Sequence, residues 1–455
     1  MVYGIMFGKV NPLIYDENAE EIIRILNENN FEAYYVGGCV RDALLGNKPH
    51  DFDITTSAKP QDCCEIFRKF GYYVLETGIK HGTVSVVFDK KIYEVTTFRS
   101  DGEYKDNRRP ESVEFVQSLK EDAARRDFTI NAIAYHPEMG IIDFFGGVQD
   151  LENKTVRCVG EPVKRFEEDA LRILRALRFA GRFGFTIEEN TSKAVKQCKE
   201  LLKNISAERI YSEFCGILMA GNCADIIREY KEVFGVFMPE ILDIVDFEQK
   251  SRWHVYDVFE HTMAALENTP DDIIVRLSVL FHDFGKPHVC TEDEQGFRHF
   301  KGHQKVSSDI AKNILKRLKA DNDTIQRVCK LILHHDDRIP PEESAVLRLM
   351  RRMGEDTKRS IYVEKADNSA QKQSMVAKRF DEILEIERIY EKIKSDENSC
   401  VYLSDLAISG KDVIDCGVLE GAKVGEILNV LLEEVTEKRL PNEREALVKY
   451  IKKII

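Results

Sequence analysis

The sequence predicts an α+β protein: an N-terminal head built on a mixed sheet, then an all-α body. Two observations carry this reading. Between residues 31 and 150, short β-branched and aromatic runs alternate with stretches of helical period. Beyond about residue 160 strand signals almost vanish. The rest reads as helix, broken near Gly221, Pro239, Pro270-Asp271, Pro340-Pro341 and Gly410. At 455 residues the chain exceeds one ordinary core, so two to four domains are expected.

In chain order, residues 16–30 carry a helical pattern. Tyr34–Val36 reads as a strand, and Val40–Leu45 starts a helix just after Gly37-Gly38. Asp51–Thr55 reads as a strand and Pro60–Phe70 as a helix. His81–Phe88 and Ile92–Phe98 form a hairpin across Asp89-Lys90-Lys91. The polar segment RSDGEYKDNRRPES, residues 99–112, has no period and reads as a mobile loop.

Composition narrows the class. Apolar residues make up 43% of the chain, ample for globular packing, and no apolar run approaches the roughly 20 residues of a membrane span. The opening MVYGIMFGKVNPLIYDENAE places Lys, Asn and Pro where a signal peptide needs an unbroken apolar stretch, so a mature cytoplasmic protein is expected. Eleven cysteines with no C-x-x-C fit neither a disulfide framework nor a cysteine zinc site. A net charge of −13 argues against indiscriminate coating of nucleic acid. Residues 157–209 nevertheless carry twelve Lys/Arg against eight Asp/Glu, a local basic surface in an acidic chain.

The stretch YYVGGCVRDALLGNKPHDFDITT concentrates the chemistry. Glycine lets a backbone approach a ligand closely, and free N–H groups at a helix start attract phosphate. Gly37 and Gly38 sit between strand and helix, with Arg41 near enough to add a cation. Asp51 and Asp53 alternate on a strand, so both carboxylates are expected on one face with Phe52 on the other. Side-by-side carboxylates repel unless a cation lies between them, and hard oxygen ligands favour Mg²⁺. Glu94, in the strand Ile92–Phe98, is a candidate third carboxylate. A phosphate cradle beside three carboxylates is what two-metal phosphoryl or nucleotidyl transfer requires.

Five segments in order resemble the polymerase-β-like nucleotidyltransferases, in the branch that contains CCA-adding enzymes and bacterial poly(A) polymerases. The first is VGGCVRDALLGNKPHDFDITT. Glu94-Val95-Thr96-Thr97-Phe98-Arg99 resembles the third-carboxylate strand. Arg125-Arg126-Asp127-Phe128-Thr129-Ile130-Asn131-Ala132 resembles the ribose-selecting motif, and Asp143-Phe144-Phe145-Gly146-Gly147 the hinge between head and neck. Glu168-Asp169-Ala170-Leu171-Arg172 resembles the nucleotide-reading motif. The resemblance implies that Asp51 and Asp53 bind catalytic Mg²⁺ with Glu94, and that Gly37, Gly38 and Arg41 hold the triphosphate. It implies that Arg126, Asp127 and Asn131 contact ribose and phosphate.

In RFEEDALRILRALRFAGRFGF, Asp169 and Arg172 are three apart and are expected on one helical face, which Arg175, Arg178 and Arg182 extend. A solvated salt-bridged helix, with Glu168–Arg172 an ordinary i,i+4 pair, is the bland alternative. In the family context, a carboxylate beside a guanidinium reads the incoming base. Cytosine and adenine each present an amine donor beside a ring-nitrogen acceptor, whereas uracil and guanine present the reverse. One Asp/Arg pair can thus accept C and A without a template.

A second constellation follows: FEHTM at His261, FHDFGKP at His282-Asp283, KGH at His303, LILHHD ending on His334-His335 and Asp336, and KADN at Asp367. It resembles the HD metal-dependent phosphohydrolase domain. Imidazole and carboxylate ligands suit Ni²⁺, Mn²⁺ or Co²⁺, so His261, His282, Asp283, His303, His335 and Asp367 are the expected ligands. A vestigial or structural metal site is the alternative to phosphatase or cyclic phosphodiesterase activity.

The tail VYLSDLAISGKDVIDCGVLEGAKVGEILNVLLEEV resembles the C-terminal segment of CCA-adding enzymes. Gly417 and Gly421 open turns there and Gly425 falls just inside a helix. Its helix starts could hold RNA phosphates, and simple helix-hairpin packing is the alternative. The resemblance divides the chain into a nucleotidyltransferase head (1–150), a helical neck (151–235), a helical HD domain (236–375) and a helical tRNA-binding tail (376–455). It implies addition or repair of the 3′-terminal CCA of tRNA from CTP and ATP, with no membrane partner. A bacterial poly(A) polymerase shares head and neck; its basic G-[RK]-[RK]-F-type segment is replaced here by ETGIKHGTVSVVF. A CC-only enzyme is expected to lack the loop at 99–112. An RNA-binding or HD hydrolase protein with a dead transferase site is countered by the intact D-x-D.

Overall fold

The structure is a computed structural model that describes residues 16–49, 51–101, 113–251, 255–396 and 399–455. The chain divides into two compact units, residues 1–239 and 240–455.

The first unit opens with α1 (Glu17–Glu28). Asp16 caps it by accepting from Ala19 N, and Ile22, Ile23, Ile25 and Leu26 bury its inner face. Then come β1 (Ala33–Val36), α2 (Gly38–Leu44), β2 (Asp53–Thr56) and α3 (Pro60–Lys69), with Pro60 at the first helical position. β3 (Tyr73–Leu75) leads into the hairpin β4 (Thr83–Phe88) and β5 (Lys91–Thr97). Its two-residue turn uses positive φ at Asp89 and Lys90, 43° and 69°, which suits the twist of the flanking strands.

β6 (Arg99–Asp101) pairs with β7 (Val113–Phe115). The loop expected at 99–112 therefore starts as a strand, and residues 102–112 lie outside the described residues. α4 (Leu119–Ala124), β8 (Ala134–His136), β9 (Gly140–Ile142) and α5 (Gly147–Glu152) complete the head. The seven-stranded sheet has the order β3-β4-β5-β2-β1-β8-β9. β2 and β5 run parallel, with Asp53 opposite Glu94; the other pairs are antiparallel. Parallel neighbours in register point the same way, so this pairing sets two carboxylates on adjacent strands of one face.

The neck holds β10 (Thr155–Val156), α6 (Pro162–Glu168), α7 (Leu171–Phe183), β11 (Thr186–Ile187), α8 (Glu189–Gln197), α9 (Ala207–Leu218) and α10 (Cys223–Phe234). Leu171, Ile173, Leu174 and Leu177 bury the inner face of α7, which ends on Gly184 in the left-handed region, φ 65°. In the second unit, α11 (Val258–Leu266), α12 (Ile273–Phe281), α13 (Lys286–Val289), α14 (His303–Arg317), α15 (Asn322–His334), α16 (Glu343–Met353), α17 (Thr357–Ser369) and α18 (Gln373–Ser395) follow. α19 (Gly410–Asp415), α20 (Ala422–Thr436) and α21 (Arg444–Ile454) pack through Val413, Leu431, Leu432, Leu447 and Ile451. Beyond residue 160 the described strands are two residues long, as the loss of strand signal predicted.

Two local expectations change. β2 begins at Asp53, and Asp51 lies in the bend before it, so the two aspartates do not alternate on one regular strand. Nor do Asp169 and Arg172 share one helix. α6 ends at Glu168, Asp169 is extended (φ −138°, ψ 102°), and α7 starts at Leu171. The cause is Asp169 itself: its Oδ1 accepts from Leu171 N at 3.1 Å, a side-chain bond that competes with helix continuation. The arginine face begins at Arg172 and continues through Arg175, Arg178 and Arg182.

Candidate functional site

The head gathers its candidate residues around the turn between β1 and α2. Gly37 sits at φ 77°, a conformation that favours glycine. A Cβ there would lie 3.0 Å from Arg126 Nη1 and 4.0 Å from Asp53 Oδ2. Gly37, Arg126 and Asp53 therefore meet at one point, with Glu94 beside Asp53 by strand register. Protein around Asp53 raises its carboxyl; Arg126 works against that rise and Asp51 adds to it.

Arg41 also reaches the glycine turn, where a Cβ on Gly38 would lie 3.6 Å from its Nη2. Its guanidinium is buried, donates 2.6 Å to Asn131 Oδ1 and 2.8 Å to Asp42 Oδ1, and lies over the Phe179 and Phe183 rings. It braces α2 against α7 and, with Arg126, sets positive charge at the glycine turn.

Asp127 joins these parts. Its Oδ1 accepts from Phe128 N at 2.8 Å and from Asn131 Nδ2 at 2.9 Å. Its Oδ2 accepts from Arg175 Nε at 2.8 Å and Nη2 at 2.6 Å. A continuous run Arg41–Asn131–Asp127–Arg175 thus links α2, the ribose-type motif and α7. Burial opposes ionisation of Asp127, but the Arg175 charge and the bonds from Asn131 and Arg175 hold its carboxyl below the ordinary range.

Asp169 and Arg172 are held from separate directions. Asp169 Oδ2 pairs with Arg209 Nη2 at 3.0 Å. Arg172 is buried. Its Nη1 donates to Glu168 Oε2 at 2.7 Å and to Arg165 O at 3.2 Å, and its Nη2 to Arg125 O at 3.1 Å. Arg178 pairs with buried Glu213 at 2.7 Å. Sequence reasoning missed Arg209 and Glu213. Both come from α9, some forty residues downstream, and nothing local in the sequence ties them to Asp169 or Arg178.

The second unit brings its six expected ligands together. His261, His282 and Asp283 form one set, and Asp283, His303 and His335 another, with ligand atoms within 4.8 Å in each. Among the described residues these are the sets this tight; the three transferase carboxylates do not close into one. Asp367 Oδ1 lies 2.8 Å from His261 Nε2 and 3.5 Å from His282 Nε2.

Three of the rings share one device. His282, His303 and His335 direct Nδ1 to the carbonyl three residues earlier, at 2.6, 2.9 and 2.7 Å. A carbonyl only accepts, so Nδ1 carries the proton and the Nε2 lone pair faces the cluster. Nε2 atoms then oppose one another at 3.3 Å, His282 against His261 and His303 against His335. Lone pairs at that distance repel unless a cation or proton lies between them. Burial lowers His282, but Asp283 and Asp367 overcome it and raise it to about 10. Burial and the neighbouring His282 push His335 down to about 3. Nitrogen and carboxylate donors in this arrangement fit divalent transition metals.

The cluster forms one wall of a cavity of about 450 Å³ that Lys286, Arg298, Lys301, Gln304 and Gln371 also line. Lys286 is buried, 2.6 Å from Asp283 Oδ2 and 2.7 Å from Gln249 Oε1.

Sheet topology, glycine turn and paired carboxylates together define a nucleotidyltransferase head. Residues 33–157 match the family described as Poly A polymerase head domain, and residues 184–243 that described as Probable RNA and SrmB- binding site of polymerase A. Residues 290–451 match tRNA nucleotidyltransferase domain 2. The chain is 35% identical to a CCA-adding enzyme of Enterococcus faecalis, covering 96% of each chain. It is also 35% identical to one of Lactobacillus helveticus, over 95% of this chain and 96% of that one. Its structure is similar to that of the Bacillus stearothermophilus CCA-adding enzyme in complex with CTP, with a TM-score of 0.70, 28% identity and 98% of both chains covered. The Thermotoga maritima CCA-adding enzyme complexed with tRNA shares the fold at a TM-score of 0.62 and 21% identity, over 96% and 95% of the two chains. The chain belongs to the CCA-adding enzymes, a family of tRNA nucleotidyltransferases.

Asp127 yields a stability test. Its folded-state pKa lies below the unfolded value, so its contribution is present above about pH 4 and drains away as pH falls through the folded value. Asp127→Asn should cost about 1–3 kcal/mol at pH 7. Urea unfolding at pH 7 and pH 3 should show the gap to wild type narrowing at the lower pH; a constant gap would mean that the carboxylate charge is not what counts.

Proposed function

We propose that the protein adds or repairs the 3′-terminal CCA of tRNA, using CTP and ATP without a nucleic-acid template. The observation that carries this is the convergence of Asp53, Glu94, Arg126 and Gly37 at the start of α2. The tRNA 3′-hydroxyl oxygen attacks the α-phosphorus of the bound nucleotide; a new P–O bond forms there and the bond to pyrophosphate breaks. Asp51 and Asp53, with Glu94, would hold Mg²⁺, which supplies hydroxyl activation and neutralises the triphosphate. Gly37 and Gly38 admit the phosphates at close range, and Arg41 and Arg126 set positive charge beside them. Asp127 and Asn131 fix the floor on which the ribose rests. A chain acting on tRNA in this way works in the cytoplasm, and basic surfaces of the neck and tail hold the tRNA.

Asp169 and Arg172 select the base. Asp169 accepts from the exocyclic amine of cytosine or adenine, and Arg172 donates to the adjacent ring nitrogen. Held by Arg209 on one side and by Glu168 and two carbonyls on the other, neither side chain is free to swing towards the donor pattern of uracil or guanine. This reading supports template-free choice through rigidity.

The second unit supports a separate reading, a metal-dependent phosphohydrolase site. Ni²⁺, Mn²⁺ or Co²⁺ would be held by His261, His282, Asp283, His303, His335 and Asp367, supplying a nucleophilic hydroxide at neutral pH. Lys286, Arg298 and Lys301 favour an anionic substrate, and the cavity has room for a nucleotide or cyclic phosphate.

Asp53→Ala should abolish labelled CMP and AMP incorporation into tRNA lacking CCA while tRNA affinity stays near wild type. Incorporation at the wild-type rate would sink the carboxylate assignment.

With Asp169→Ala, kcat/KM should fall for CTP and ATP, and selectivity over UTP and GTP should drop by about tenfold to a hundredfold, as expected for loss of a contact worth roughly 1–3 kcal/mol. An equal loss for all four nucleotides would make Asp169 a structural cap only.

His282→Ala with Asp283→Ala should remove bound transition metal, read by elemental analysis, and any Ni²⁺- or Mn²⁺-dependent hydrolysis of phosphate monoesters or 2′,3′-cyclic nucleotides. CCA addition should persist. Loss of both activities in a folded protein would join the two sites into one.

A further inference from the structure

Asp122 is a carboxylate that none of the chemistry above uses, and it is the most deeply placed acid in the head, with no exposed surface. Five groups converge on it. Arg125 approaches through Nε and Nη2, each at 2.9 Å from Oδ1. Arg126 Nη2 lies 3.5 Å from Oδ2. Thr55, in the strand that starts at Asp53, brings its Oγ1 to 3.3 Å from Oδ2 while also lying 3.1 Å from Thr96 O. Arg99 N, at the start of β6, is 3.3 Å from Oδ1.

Sequence spacing explains part of this. Asp122 lies in α4, and Arg125 and Arg126 are three and four residues on, where one turn of helix brings side chains together. Tertiary structure adds the rest, because Thr55 arrives from the centre of the sheet and Arg99 from the end of its parallel strand pair.

The state of Arg126 gives the cluster its meaning. Its guanidinium is sunk in the protein, so burial works against its charge and Asp122 is the first group that counters this. Its Nε has no hydrogen-bond partner, and Nη1 makes one long bond, 3.4 Å to Asn131 O. The same Nη1 stands over Gly37. A cation with one long bond on its outer side is backed by the Asp122 carboxylate, whose Oδ2 lies 3.5 Å from Nη2. Without that carboxylate, the one long bond to Asn131 O is what remains among its described hydrogen bonds to fix the angle at which Nη1 meets the glycine turn. Arg125 extends the connection, since its carbonyl accepts from Arg172 Nη2. One buried acid is thereby tied to the carboxylate strand, to Arg126 at the glycine turn and, through one backbone carbonyl, to Arg172.

We propose that Asp122 is a positioning residue for nucleotidyl transfer: it aims the Arg126 guanidinium at the phosphates of the bound nucleotide and locks that aim to the strand bearing Asp53. This rests on the assignment of Arg126 to the nucleotide phosphates made above. Asp122 touches no substrate. Its effect is on the phosphate end, which CTP and ATP share, so it should not alter the choice between them.

A double-mutant cycle on the full-length protein tests this. kcat and KM for CTP and ATP are measured on tRNA lacking CCA for wild type, Asp122→Asn, Arg126→Ala and the double variant, with thermal unfolding as the check on folding. Asp122→Asn should lower kcat/KM about tenfold to a hundredfold, the scale of a small misplacement of a reacting group. The loss should be equal for CTP and ATP and leave tRNA affinity unchanged. The double variant should be no slower than Arg126→Ala alone, because a residue acting through Arg126 has nothing left to act on. Losses that multiply would overturn the proposal, as would wild-type rates in Asp122→Asn. Wild-type rates in Arg126→Ala would instead overturn the underlying assignment of Arg126. Should Asp122→Asn fail to fold, the cycle is run with Asp122→Glu and read in the same way.

Discussion

The first unit depends on one interaction, the ionised carboxylate of Asp127 gripped between Asn131 and Arg175. Burying a carboxylate costs several kcal/mol unless charge and hydrogen bonds replace the lost water. Here Phe128 N and Asn131 satisfy one oxygen, and a two-point contact from Arg175 satisfies the other. Because Asn131 also accepts from Arg41, and Arg41 lies over Phe179 and Phe183, the grip reaches from α2 to α7. The glycine turn and α7 are therefore held by one connected set of polar bonds, not by apolar packing alone. Such a set fixes direction as well as distance, which the phosphate and base sites proposed above both require.

Arginines in this unit do different work according to what stands behind them. Arg41 and Arg172 each make several bonds to internal acceptors that fix their direction. Arg126 keeps an outward nitrogen with one long bond. A count of arginines near the site would make them equivalent; the hydrogen-bond inventory separates them. Arg209 pairs with Asp169, whose other oxygen accepts from Leu171 N, so the carboxylate proposed to read the base also sits at the break between α6 and α7.

The second unit solves a different electrostatic problem. Four imidazoles and two carboxylates, most of them fully buried, face one another with little room between. Backbone carbonyls of the same helices and turns claim Nδ1 of three rings and so choose the tautomer that points Nε2 inward. Asp283 belongs to both ligand sets, which makes it the hinge of the cluster. The cations lining the adjacent cavity give an anion a path towards it.

Much of this could be read from the chain alone. Period and punctuation gave four strands of the head sheet, the hairpin at Asp89-Lys90 and the helical remainder, because strand and helix patterns are local properties of side-chain order; the short strands β3, β8 and β9 lay below that signal. Motif order likewise pointed to the family and named Asp53, Glu94, Arg126 and the six residues that gather in the second cluster. Local reading failed at two points. Asp51 falls in a bend before its strand, and Asp169 breaks the helix that spacing had drawn through it, since its carboxylate bonds to Leu171 N. Only the tertiary structure decided which strand lies beside which, and so that Asp53 and Glu94 share a face in parallel register. It alone brought Arg209 to Asp169, Glu213 to Arg178 and Thr55 to Asp122. These pairs are separated by 35 to 67 residues, and a side chain's periodicity carries information about its own helix or strand but none about which distant element will fold against it.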